Sequence, residues 1–163
     1  MPELPRRKHV RMREFDYHAP GAYFFTVCLN NRIPLFGEVE DGIAHLNDMG
    51  KCIEAVWLST SQRYPSIDTD SFILMPDHAH GIVILKSEDL ELSPVSFITF
   101  MNWFKSMTTV EYGRGVKTLG WPPYDRHLWQ PDYIERVLRN EIELERYREY
   151  IEGNPGRWSQ RHE

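Results

Sequence analysis

The sequence predicts an α+β fold: a ferredoxin-like split βαβ layout, with an antiparallel sheet, helices on one face and a further helix at the C-terminus. Three observations carry this. Two strand-like segments flank a Pro-Asp turn, Ile67–Met75 and His78–Leu85, and read as a hairpin. Segments of helical periodicity, Leu46–Tyr64 and Ser93–Tyr112, separate strand-like runs. The order strand, helix, strand, strand, helix, strand, helix then matches the split βαβ arrangement in its first six elements.

Each element has its own signal. Ala22–Asn30, "AYFFTVCLN", is rich in aromatic and β-branched residues and reads as the first strand. "NRIPLFGEVEDG" contains Pro and Gly and reads as a loop or a hairpin. In Leu46–Tyr64, Met49, Ile53, Val56 and Trp57 recur at helical spacing, with Asn47 as the N-cap. In Ser93–Tyr112, Ser93 can cap and Pro94 suits the first helical position. Residues 113–127 read as a loop from Gly113, Gly115, Gly120, Pro122 and Pro123. A short fourth strand falls around Tyr133–Val137. The last helix starts at Asn140, where Asn140 and Glu143 resemble a capping box, and ends near Gly153 before Pro155.

The chain has 163 residues, 41% of them hydrophobic, which fits one folded domain over 21–163 behind a basic N-terminal arm over 1–20. A net charge of −5 excludes a generic polyanion binder but not a local basic patch. Cys28 and Cys52 lack metal-site spacing and read as buried free thiols. No apolar run is long enough to span a membrane, and the N-terminus lacks the apolar core of a signal peptide, so no membrane partner is expected and the expected compartment is the cytoplasm.

The chemistry concentrates in two places. On a strand, His78 and His80 share one face while Ala79 and Gly81 share the other. Two neutral imidazoles so placed can share a divalent ion, or be ordinary hydrogen-bonded strand histidines. Asp77 beside them is a further ligand or a turn residue. There is no HExxH and no CxxC, so the four N/S ligands of structural zinc are not evident. An open site with oxygen donors suits Mg²⁺ or Mn²⁺ near phosphates better. Further on, Tyr150 lies four residues before Asn154 and can share a helix face with it, while Tyr147, one turn before Ile151, looks like packing.

"MPDHAHGIVIL" (Met75–Leu85) followed by "RNEIELERYREYIEGNP" (Arg139–Pro155) resembles the single-tyrosine HUH transposases of the Y1 family, most closely the REP-associated tyrosine transposase branch. The resemblance runs from "GAYFFTVCLNNR" to "NPGRW", most of the chain. It implies the fold inferred above. It also implies that His78 and His80 are metal-binding, that Asn154 completes the Mg²⁺ or Mn²⁺ site, and that Tyr150 is the nucleophile. The implied activity is cleavage and strand transfer of single-stranded DNA bearing a repeat hairpin, through a 5′-phosphotyrosine link, by a homodimer or a monomer. The small Ala79 departs from the bulky apolar residue usual between the two histidines. That leaves open a domesticated hairpin-binding protein without catalysis, and, more remotely, an unrelated His-x-His hydrolase using activated water.

For holding DNA, the candidates are Arg6, Arg7, Lys8, Arg11 and Arg13 of the arm, with Arg126 and His127 before the fourth strand and Arg136 and Arg139 at its end. Trp121, Tyr124 and Trp129 either stack on unpaired bases or pack internally.

Overall fold

The computed structural model describes residues 21–86 and 95–162. The basic arm, and the Ser93 and Pro94 expected to open a helix, lie outside the described residues. In chain order the elements are β1 (Gly21–Cys28), β2 (Gly37–Glu40), β3 (Ile43–Leu46), α1 (Asp48–Leu58), α2 (Thr60–Arg63), β4 (Ile67–Met75), β5 (His78–Leu85), α3 (Phe97–Leu119), β6 (Ile134–Leu138), α4 (Glu141–Glu152) and α5 (Asn154–His162). The main sheet has the order β4–β5–β1–β6, with every pair antiparallel. The β1-to-β4 crossover skips over β5, and the β5-to-β6 crossover skips over β1. This is the split βαβ fold expected from the sequence.

Alternation along β1 and β5 sorts their side chains onto two faces. Tyr23, Phe25, Val27, Ala79 and Val83 face α1 and α3 and pack with Trp57, Phe97, Phe100 and Phe104 in the larger core. Ala22, Phe24 and Ile82 face α4 and pack with Leu138, Tyr147 and Ile151 in a smaller one. Burial on both faces explains why "AYFFTVC" and "HGIVIL" are nearly continuous apolar runs instead of alternating ones. Gly81 is required on the larger-core face: a Cβ there would sit 2.7 Å from the Phe25 ring. That ring is fully buried against Trp57 and Phe104 and has no room to yield. Gly81→Ala is expected to cost about 1–3 kcal/mol of stability by overpacking, read as a lower urea midpoint with an unchanged slope.

The segment read as loop or hairpin is a hairpin. Asp41 and Gly42 both have positive φ, 52° and 75°, as a two-residue type I′ turn requires. Its tip reaches α5, where the Gly42 N–H donates to Ser159 Oγ at 3.0 Å. The Leu46–Tyr64 helix is two helices, broken at Ser59, and Asn47 caps the first by accepting from the Gly50 N–H at 2.9 Å.

α3 corrects the reading of residues 113–127. It begins at Phe97, capped by Ser96, and runs through Gly113 and Gly115 to Leu119, stopping at the left-handed Gly120 (φ 72°). A Cβ on Gly115 would lie 2.0 Å from the Trp121 ring, so this glycine makes room for a side chain folding back on the helix and does not break it. α4 is capped by Asn140, which accepts from the Glu143 N–H at 2.9 Å; Glu143 Oε1 accepts from Arg139 N instead of completing the box. The chain does not end its helical course at Gly153. α5 follows at once, with Pro155 in its first turn, where a missing N–H costs nothing. Cys28 and Cys52 are free and half-buried, not fully buried, and burial raises both thiols above their ordinary pKa. Among the described residues no helix is long and apolar enough to cross a membrane.

Candidate active site on the α4 face of the sheet

His78 and His80 project from β5 toward α4, 6% and 3% exposed, with ring centroids 4.7 Å apart. Each is held through its Nδ1. His78 Nδ1–H donates to Asp77 Oδ1 at 2.6 Å. Asp77 occupies the turn between β4 and β5, and Arg32 Nε donates to its other oxygen at 3.1 Å. Burial would raise the Asp77 carboxyl, but the bonds from His78 and Arg32 outweigh it and hold the pKa below the ordinary range. Both carboxylate oxygens are engaged, so Asp77 orients His78. His80 Nδ1 lies 2.7 Å from Thr26 Oγ1, and its Nε2 lies 3.2 Å from Asn154 Nδ2. An amide nitrogen only donates. Nε2 therefore accepts, and the ring proton sits on Nδ1, donated to Thr26. Both imidazoles are thus fixed as the tautomer whose Nε2 carries a lone pair, and at His80 a cation would take the place of the Asn154 Nδ2 hydrogen.

Tyr150 comes from α4. Its ring meets His80 edge-on, with centroids 5.4 Å apart, and Arg157 of α5 lies over it at 4.3 Å. Arg157 also donates to the Tyr150 carbonyl. Asn154 opens α5, yet Gly153 between the helices keeps near-helical angles (φ −81°, ψ −4°). The four-residue relation of Tyr150 to Asn154 therefore survives the break. Asn154 is 1% exposed, and its Oδ1 has no hydrogen-bond partner. A buried orphan carbonyl costs roughly 1–3 kcal/mol, and its chemistry suits a hard cation. Among the described residues no group of three or more His, Cys, Asp or Glu side chains could hold a metal. The donor set that fits Mg²⁺ or Mn²⁺ is two imidazoles and one amide oxygen, which leaves positions for oxygens from outside the protein.

Ala79 points away from all this, fully buried in the larger core. The departure from the usual motif falls on the opposite face of the sheet.

α4 is tied to the sheet across its outer strand. Arg148 Nε and Nη2 donate to Asp70 Oδ2 and Oδ1 at 2.8 and 2.7 Å. Asp70 and Ser71 form a bulge in β4, where two residues oppose one of β5. The bidentate Arg148 bond lowers the Asp70 pKa despite partial burial. A depressed carboxylate stabilises the fold above its unfolded pKa, and the contribution is lost as pH falls through the folded value. The pair is partly screened by solvent, so Asp70→Asn is expected to cost about 1 kcal/mol near neutrality. The difference from wild type should vanish below the ordinary aspartate range. Denaturant melts at a series of pH values check this.

The DNA-contact candidates have separate settings. Arg126 is exposed, with a positive φ of 66°. Arg136 of β6 lies over the Tyr147 ring at 5.6 Å and 3.6 Å from Glu143, on the α4 face. Arg139 is exposed at the end of β6. The aromatics resolve toward packing: Trp129 is buried and donates to Thr108 Oγ1 at 2.8 Å, while Trp121 and Tyr124 pack on Tyr112. Sequence reasoning missed Thr26, Arg32, Arg157 and Trp158, whose ring lies 6.1 Å from that of His78. Only Arg32 left a trace, in the "NNR" whose Asn31 and Arg32 adopt positive φ (60° and 53°).

The fold and the relatives agree on a class. The chain shares the fold of a REP-associated tyrosine transposase and is similar in sequence to a protein described as one. A REP-associated tyrosine transposase bound to a REP hairpin superposes with TM-score 0.60 at 21% identity, over 96% of this chain and 74% of that one. A crystal structure of a "putative transposase" from Deinococcus radiodurans gives TM-score 0.54 at 13% identity, over 88% and 96%. By sequence, the chain is 27% identical to an uncharacterised protein of Haemophilus influenzae, over 96% of this chain and 92% of the relative. It is 22% identical to a "putative REP-associated tyrosine transposase" of the same organism, over 86% and 73%. No family model matches the chain.

Proposed function

We propose that this protein cleaves and rejoins single-stranded DNA at hairpin-bearing repeats, with Tyr150 as nucleophile and a divalent cation at His78, His80 and Asn154. One observation carries the reading: the Tyr150 ring rests on His80, beside an imidazole pair fixed through Nδ1 and a buried amide oxygen without a partner. Similarity to a transposase solved with a REP hairpin supports hairpin DNA as the partner.

His78, His80 and Asn154 would hold Mg²⁺ or Mn²⁺, which when bound supplies Lewis-acid stabilisation of a scissile phosphate. The chain's own residues do the rest. Asp77 and Thr26 hold the imidazoles in the required tautomer. Arg157, stacked on the Tyr150 ring, favours electron density developing on the phenol oxygen. That oxygen attacks phosphorus, forming the Tyr–O–P bond as the bond to the 3′ oxygen breaks. The phenol loses a proton, and the 3′ oxygen leaves as a hydroxyl after gaining one. Because the linkage is still a phosphodiester, another 3′-OH can reverse the step without an external energy source. Histidines and tyrosine come from one chain, so this constellation needs no second copy.

The test is a denaturing gel of labelled hairpin DNA incubated with protein and Mg²⁺ or Mn²⁺. A denaturant-resistant adduct that forms only with metal is expected. Tight binding with no adduct under either metal would leave the hairpin-binding reading in its place.

A further inference from the structure

The β2–β3 hairpin stands outside the main sheet, and its two ends are bonded to the two halves of the candidate site. At its base the fully buried Phe36 donates its N–H to Pro76 O at 3.1 Å, and Pro76 directly precedes Asp77 and His78. This base is closely packed. Asn47 N–H donates to Phe36 O at 3.1 Å, Asn47 Nδ2 donates to Leu35 O at 2.9 Å, and the Phe36 ring packs on Trp129. Gly50 of α1 approaches so near that a Cβ there would lie 2.3 Å from Phe36 O.

The tip meets α5. Gly42 lies between the paired residues Glu40 and Ile43, so its N–H takes no part in the ladder and is given to Ser159 Oγ. The tip also comes up against the helix backbone: a Cβ on Gly42 would lie 3.7 Å from Gly156 Cα. Gly156 and Ser159, one turn apart, form the side of α5 that faces the hairpin. Asn154, Arg157 and Trp158 form the side that faces the site, where they meet His80, the Tyr150 ring and the His78 ring. α5 has nine residues, too few to be a stable helix by itself, so its packing sets its course. Beyond its junction with α4, it packs on β2 and β3.

We propose that the hairpin is a strut that sets where Asn154 stands relative to His78 and His80, and that Ser159 is the positioning residue through which it acts. One end is bonded to the turn that opens the histidine strand, the other to the helix that carries the amide oxygen. A two-stranded ladder of fixed rise holds them apart, independently of the α4–α5 junction at Gly153. Without the tip bond, α5 turns about that junction and Asn154 spends less time at His80. A cation then meets a site competent for part of the time, and its apparent affinity falls by that fraction. This last step rests on the metal reading above, and the test separates the two.

Four forms of the whole chain are compared. They are wild type; Ser159→Ala, which removes the acceptor; Ser159→Thr, which keeps it; and a hairpin lengthened by two glycines between Asp41 and Gly42, which withdraws the tip and leaves Ser159 in place. In metal-free protein, hydrogen exchange of the Asn154 side-chain amide is followed by NMR. It is expected to quicken about fivefold in Ser159→Ala and in the lengthened hairpin, in line with the net worth of one hydrogen bond, and to keep the wild-type rate in Ser159→Thr. The Mg²⁺ or Mn²⁺ concentration needed for a given rise in melting temperature should increase about fivefold in the same two forms and stay in the third. Unchanged exchange in Ser159→Ala overturns the strut, whatever happens to the melting temperature. So does an effect of alanine that threonine fails to restore or that the lengthened hairpin does not share. If wild type responds to neither metal, the cation reading fails, and the strut stands or falls on the exchange of Asn154 alone.

Discussion

Tyr150→Phe is expected to abolish the covalent protein–DNA adduct while leaving hairpin affinity within about twofold. The substitution removes one oxygen and keeps the ring. That ring packs edge-on against His80 and Phe24 and lies beneath the Arg157 guanidinium. Phenylalanine preserves these ring contacts, so stability should change by no more than about 1.5 kcal/mol, the net worth of one hydrogen bond. The chemistry has no such reserve: removing a nucleophile costs on the order of 10⁶ in rate in a well-studied serine protease. The measurement pairs the denaturing gel with native binding on the same DNA. An adduct that persists in Tyr150→Phe assigns the covalent step elsewhere. Metal-dependent cleavage that survives without an adduct points to activated water. Tyr147 is a poor substitute, being buried in the smaller core, where burial raises its pKa.

Several elements are legible in the sequence because their signals are local. Strand alternation alone puts His78 and His80 on one face, and the four-residue step alone puts Tyr150 beside Asn154. Asn47 and Asn140 cap where the pattern has them, since capping involves neighbours in sequence. The misreadings have a different origin. Gly113 and Gly115 read as a loop because glycine disfavours helices on average, but Gly115 exists for Trp121, a contact no periodicity encodes. Pro155 reads as a stop because proline ends helices, yet it sits in the first turn of the next one. The residues that prepare the imidazoles are the least visible. Thr26 is one hydroxyl in an apolar strand, and Arg32 is one cation in a loop. Their roles come from a register that sets Thr26 opposite His80 and from the turn that brings Asp77 to Arg32.

The cation itself should be visible in stability. A ligand that binds only the folded state at a hundredfold excess over its Kd adds about 2.7 kcal/mol. For a chain of this size that corresponds to a rise in melting temperature of about 5–10 °C. Mg²⁺ or Mn²⁺ is therefore expected to raise the melting temperature of wild type and of Tyr150→Phe alike, because the phenol is not in the donor set. His78→Ala and His80→Ala should lose both the shift and the adduct. Asn154→Ala should also lose the shift, and because it removes an oxygen buried without a partner, its metal-free stability should fall less than its burial suggests. Asp77→Asn probes orientation alone: it keeps the shape but frees the His78 ring to take the other tautomer. It should weaken metal affinity about 10–100-fold, as loss of an outer-shell partner does. The titration midpoint should move while the shift at saturation stays. A melting temperature indifferent to both metals in wild type would remove the cation from the site. The orphan oxygen of Asn154 and the two imidazoles fixed through Nδ1 would then need another occupant.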